Sequence, residues 1–277
     1  MPTSIDLSSV RELRSLADAV ETINDAAEGV VQRWLIVGAT ARDLVLHHAY
    51  RLPTLRATVD LDIAVAVTSW ADFDKLQKGL QERGAELSPA IAHRLSLRGW
   101  QIDIVPFGGV EQDGKIVWPP ANDVEMSVLG FEEASRHALN VTLRAGVTVA
   151  VASPPALLIL KLVAWEDRHR SLPRHDAPDI RTLIKSYAEE WNEDRLYEEA
   201  DDLLQEFGYN NSLAAAALLG RDAAAIAQSS TADLVETILR HEVLEESLML
   251  AADMGGRTEE NLELLKALLR GFQDVHP

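Results

Sequence analysis

The chain has 277 residues, of which 47% are hydrophobic and 25% charged; this excludes a disordered polymer and suits one large domain or two small ones. It contains no cysteine, which excludes a disulfide framework and any thiolate metal site. The formal net charge of -18 is unevenly spread: 20 acids stand against 6 bases from residue 186 onward, and 24 against 20 before it, so the acidity belongs to the C-terminal part. That acidity is read as a solvated face, with a docking surface for a basic partner or a wall against nucleic acid as the other two readings. The first residues, MPTSIDLSSV, lack a charged and then apolar leader, and no apolar run reaches membrane-spanning length. A soluble cytoplasmic protein is expected.

Taken in order, Ser8 to Ala27 carries Val10, Leu13, Leu16, Val20 and Ile23 at helical spacing, with Ser8 or Ser9 as the cap. Trp34 to Val37 reads as a buried strand. The turn Gly38-Ala39-Thr40 follows, then a helix over Ala41 to His48 and a polar loop. A second strand, Thr58 to Val67, carries Asp60 and Asp62. Side chains alternate along a strand, so these two carboxylates share a face about 7 Å apart and repel one another. A hard divalent cation with oxygen ligands, such as Mg²⁺ shared with phosphates, relieves that repulsion. Gly38 allows close backbone approach, and Thr40 sits near a helix N-terminus that favours an anion. A phosphate cradle beside paired carboxylates is the equipment of metal-assisted nucleotidyl transfer.

The segment GATARD, followed by DLDIAV, resembles the glycine-serine and paired-aspartate signature of polymerase-β-like nucleotidyltransferases, with Thr40 at the usual serine position. Each piece alone is commonplace. A G-x-T turn is often only a turn, and D-x-D often marks an exposed strand face; their order and the apolar residues between the acids carry the resemblance.

Further along, Phe73, Leu76 and Leu80 line a helix that begins at Ser69 or Trp70 and stops at Gly84. His93 to Leu97 reads as a short strand and Trp100 to Phe107 as an apolar one with a single embedded acid, Asp103. An unpaired carboxylate there is costly, so Asp103 is either a third metal carboxylate or an acceptor at a strand edge. Its flanks resemble those of Asp62, which favours the first. Pro106 to Asp123 reads as a loop with a short hairpin around Lys115 to Trp118. Val141 to Arg144 and Val147 to Val151 read as a hairpin around Gly146.

Pro154-Pro155 opens a helical half. Lys161 lies within an apolar helix face, which is costly unless it snorkels or meets an anion, for which a triphosphate would serve. The stretch KLVAWEDRHRSLPRHDAPDIRTL resembles the lysine, arginine and aspartate-x-x-aspartate motif of the AbiEii/AbiGii toxin family, which includes the MenT toxins. Lys161, Ala164, Arg168, Arg174, Asp176 and Asp179 match that motif, while His175 separates Arg174 from the acid. Without the resemblance, these residues would be surface charges on a helix pair, with Asp176 as a helix cap. Arg168, Arg170, Arg174, Arg181 and Lys185 form the strongest basic cluster. Beyond it the pattern is helical, with breaks at Gly208 to Asn211, at Gly220 and at Gly255-Gly256, and a last helix over Thr258 to Phe272.

The resemblance implies a polymerase-β-like α/β core with a mixed sheet over residues 1–152 and a C-terminal helical bundle over 153–277 that contributes Lys161, Asp176 and Asp179 to the site. It implies a nucleotidyltransferase that moves a nucleoside monophosphate from an NTP to a hydroxyl. Asp60, Asp62 and Asp103 would bind Mg²⁺ or Mn²⁺. Gly38, Ala39, Thr40, Arg42, Lys161 and Arg168 would hold the nucleotide, and Asp176 and Asp179 would position Lys161 or the nucleotide. It further implies a toxin acting on RNA, with the 3′ end of tRNA as the acceptor and an AbiEi-like antitoxin as the partner. Small molecules such as aminoglycosides, a protein side chain, or a degenerate nucleotide-binding module are the alternatives.

Overall fold

The computed structural model describes residues 3–53, 60–89, 91–119, 125–172, 174–244 and 247–275. The chain divides into two compact units, residues 1–153 and 154–277.

The first unit is a mixed sheet with helices. Its strands are β1 (Ser4–Asp6), β2 (Arg33–Ile36), β3 (Asp60–Val67), β4 (Glu86–Leu87), β5 (Arg94–Leu97), β6 (Trp100–Gly108), β7 (Lys115–Val117), β8 (Glu125–Ser127), β9 (Leu139–Arg144) and β10 (Val147–Val151). The main sheet has the order β1-β9-β10-β2-β3-β6-β5-β4, and β7 pairs β8 apart from it. Parallel pairs β1/β9, β10/β2 and β3/β6 are separated by antiparallel ones, and the β6-β5-β4 end is antiparallel throughout. Helix α1 (Arg14–Ala27) packs against β9 and β10, burying Leu16, Val20 and Ile23.

Strands β2, β3 and β6 form the middle of the sheet, and their apolar β-branched runs explain why. Leu35, Ile36, Leu61, Ile63, Ile102 and Ile104 are all fully buried. Pro106, where the expected strand and the expected loop overlapped, sits inside β6, opposite Val65 of β3. Successive N–H groups of a strand point to opposite sides. The N–H of Ile104 turns toward β5, bonding His93 O at 2.9 Å, so position 106 also faces that side. β5 has ended there, and proline therefore costs the ladder no bond.

After β2 comes α2 (Gly38–Arg42), which runs directly into a π-helical stretch, Asp43–Ala49. The predicted helix over Ala41 to His48 is thus wider in its second half and starts three residues earlier. Thr58 and Val59, predicted as the start of the second strand, lie outside the described residues. The N-terminal helix begins later than predicted: Ser8 and Ser9 do not cap it, a 3-10 turn covers Arg11–Leu13, and β1 occupies the preceding residues. Helices α3 (Trp70–Glu82) and α4 (Phe131–Arg136) complete the unit.

The second unit is all helical. Its helices are α5 (Pro154–Arg168), α6 (Ala177–Ser186), α7 (Glu193–Glu198), α8 (Asp201–Glu206), α9 (Asn211–Ile226), α10 (Ser229–Leu244), α11 (Met249–Asp253) and α12 (Thr258–Gln273). α9 and α12 pack tightly. Gly220 does not break a helix as expected. It lies inside α9, where a Cβ would overlap the backbone carbonyl of Leu268; a Cβ on Gly271 of α12 would likewise overlap that of Ala217. The sequence spends two glycines and the run Ala214 to Ala217 on letting two backbones approach. No helix among the described residues is long and apolar enough to cross a membrane.

Candidate active site

In the first unit, Asp60 and Asp62 begin β3 and share one face of the sheet. β6 runs parallel beside it, with Gln101 opposite Asp60 and Asp103 opposite Asp62. All four side chains therefore stand on that face. Gln101 Nε2 donates to Asp60 Oδ1 at 3.1 Å. The other face of β6 carries buried Ile102 and Ile104, so β6 could not slip by one residue without burying Gln101 and Asp103 in their place.

The turn after β2 is tied to the start of β3 by two bonds. Val37 N–H donates to Asp62 O at 2.9 Å, and Thr40 Oγ1 donates to Asp60 O at 2.8 Å. Gly38 has a φ of 63°, and a Cβ there would overlap Asp62 Oδ2. The glycine thus leaves room for the carboxylate above it. Thr40 is buried, and its hydroxyl serves the backbone of β3. Arg42 is buried too, forking onto Asp43 Oδ1 through Nε and Nη2 at 2.9 and 2.7 Å.

Asp103 does not stand alone. Arg94 of β5 is its direct antiparallel partner and grips both oxygens, Nε to Oδ1 and Nη2 to Oδ2, each at 2.7 Å. Among the described residues, no three acids or histidines are grouped to hold a metal ion. Arg94 and Gln101 escaped sequence reasoning. The signal for Arg94 was its place at the head of an alternating strand, R-L-S-L, whose leucines are buried and whose arginine therefore joins the acids' face.

In the second unit, Lys161 of α5 finds its anions in two carboxylates. Its Nζ lies 3.0 Å from Asp176 Oδ1 and 2.8 Å from Asp179 Oδ2. Arg168 adds a fork on Asp176, Nε to Oδ2 at 2.6 Å and Nη2 to Oδ1 at 2.8 Å. Burial alone would raise the Asp176 carboxyl, but Arg168 and Lys161 outweigh it and hold it well below the usual carboxylate range. Burial alone would lower Lys161; Asp179 and Asp176 outweigh it and keep the ammonium charged. Asp176 stands at the N-cap position of α6, yet its side chain makes no cap bond, being fully engaged by the two cations.

The expected basic cluster is not one open patch. Arg168 is spent on Asp176, Arg181 Nε bonds Asn261 Oδ1 at 3.1 Å, and Lys185 pairs with Glu260.

A model of the nucleotidyl transferase AbiEii toxin family, a type IV toxin–antitoxin system, matches residues 25–247. No curated protein matches the chain. Among solved structures, the antibiotic-resistance factor ANT(2'')-Ia aligns over 70% of this chain and 97% of its own, at 14% identity and a TM-score of 0.37, a likeness too loose to bear on function. The family model spans both units, including the acids of β3 and the lysine of α5, and on that ground the chain belongs to the AbiEii family of nucleotidyltransferase toxins.

Proposed function

We propose that this nucleotidyltransferase is Mg²⁺-dependent, and that it moves a nucleoside monophosphate from an NTP to a hydroxyl of an RNA acceptor, such as the 3′ end of tRNA. The observation that supports this best is the seating of Asp62 over Gly38, beside Asp60 on the same strand face.

The residues suit a divalent cation in part. Asp60 and Asp62 offer only oxygen donors, as a hard cation requires, and the space above Gly38 is kept clear for a carboxylate. Asp103 borders them but is gripped by Arg94. When bound by Asp60 and Asp62, Mg²⁺ would supply charge neutralisation and orientation for the triphosphate. The chain's own part is positional. Thr40 and Val37 lock the turn to β3, so that the backbone around Gly38 and Ala39 is presented to phosphate in a fixed pose. Transfer is proposed to need Lys161 as well, with Asp176 and Asp179 as the residues that keep it charged and in place. An AbiEi-like antitoxin is the proposed partner.

The test is Asp60→Asn. Full-length protein is incubated with radiolabelled NTPs, Mg²⁺ and either total RNA or cell lysate. Wild type should label RNA and the variant should not, with an unchanged circular dichroism spectrum. Label on small molecules or protein alone would reject the RNA acceptor, and labelling by the variant would reject the cation assignment.

A further inference from the structure

Three strands present a row of charges on one face: Asp62 of β3, Asp103 of β6 and Arg94 of β5, each the direct neighbour of the next in register. We infer that Asp103 is the anchor of Arg94 and not a third cation ligand, so that the site holds one divalent cation on Asp60 and Asp62 and carries its second positive charge permanently, as the Arg94 guanidinium. This rests on the nucleotidyl-transfer function proposed above.

Four observations carry it. Both Asp103 oxygens are engaged at 2.7 Å, in the side-on fork that is the strongest way a guanidinium and a carboxylate meet. The two residues are held opposite each other by the β5/β6 ladder, so their pairing is set by backbone register and not by a mobile loop. A guanidinium is charged at every working pH, and a metal ion approaching Asp103 would meet like charge. Finally, Arg94 and Asp103 together are neutral, which leaves Asp60 and Asp62 with two negative charges on the face, the complement of a single divalent cation. The side-on fork uses Nε and Nη2 and leaves Nη1, whose two N–H groups are the natural partners of an anionic phosphate oxygen. Asp60 and Asp62 lie close enough to raise the Arg94 guanidinium further, after the larger effect of Asp103 itself, so the charge stands within range of the cation site.

Mn²⁺ titrated into the metal-free full-length protein, with bound ion followed by electron paramagnetic resonance, tests this without turnover. Arg94→Gln frees Asp103 and should bind Mn²⁺ at least threefold more tightly than wild type. The double variant Arg94→Gln/Asp103→Asn removes the neutral pair whole and should stay within threefold of wild type. A smaller gain in the single variant, or a larger loss in the double one, overturns the inference, because Asp103 would then be unrestrained or already a ligand. Should Arg94→Gln fail to fold by circular dichroism, Arg94→Met removes both the charge and the fork while keeping an apolar stem of similar length on β5; it too should bind more tightly than wild type, and equal binding overturns the inference. Asp60→Asn separates the two levels: unchanged Mn²⁺ binding there sinks the cation site itself, whatever Arg94 does.

Discussion

The Asp62 carboxylate occupies the space that a methyl group on residue 38 would need. Gly38 is also left-handed, at φ 63°. Gly38→Ala therefore faces two penalties, a backbone cost of about 1–2 kcal/mol for an L-residue in that region and displacement of Asp62. Nucleotidyl transfer should fall by more than the modest loss in thermal midpoint would account for. Full activity in the alanine variant would remove Gly38 from the site.

Thr40 acts through its hydroxyl on the carbonyl of Asp60. Thr40→Val should cost about 1 kcal/mol of stability and loosen the start of β3, whereas Thr40→Ser keeps the donor. The expected pattern is a lower kcat for valine with near wild-type values for serine. Equal kinetics for the two variants would mean that the hydroxyl positions nothing that matters.

Asp176 gives the second unit a pH signature. Its folded value lies below the ordinary 3.8, so the deprotonated form is the one the fold prefers. The stabilisation is complete above that ordinary value and is lost as pH falls below it toward the folded value. Asp176→Asn should lose about 1–3 kcal/mol at neutral pH, because Arg168 loses its carboxylate while Lys161 keeps only Asp179. Urea midpoints measured from pH 7 downward should show the wild type converging on the variant in acid. Parallel curves would assign the pH dependence to other groups.

Gly271 meets the backbone of Ala217 where α12 crosses α9. Gly271→Ala should force the helices apart and cost about 1–3 kcal/mol, read as a lower urea midpoint. Mn²⁺ binding at Asp60 and Asp62, which belong to the other unit, is the control and should survive. A variant as stable as wild type would contradict the close crossing.

Parts of this molecule were legible in the sequence because their causes are local. Trp34 to Val37, the acids of β3 and the run through Asp103 announce buried strands by their apolar β-branched composition, and Gly38 announces a close approach. The rest depends on partners far along the chain. Nothing near Lys185 points to Glu260, nor near Arg181 to Asn261, so the basic cluster looked more open than it is. The fork between Arg94 and Asp103 needs the β5/β6 register, which no single strand encodes. Gly220 looked like a helix break because glycine is a poor helix former, and only the neighbouring α12 backbone explains its place inside α9. β1, at three residues, is too short for any alternation to reveal it.

Pro106 has a consequence for the company this protein keeps. The main sheet ends in strands of two and three residues, and the stretch of β6 that outruns β5 carries a proline on that side. A stray extended peptide would find few consecutive amide groups to zip onto at these rims. These rims of the first unit are thereby guarded against growing by strand addition.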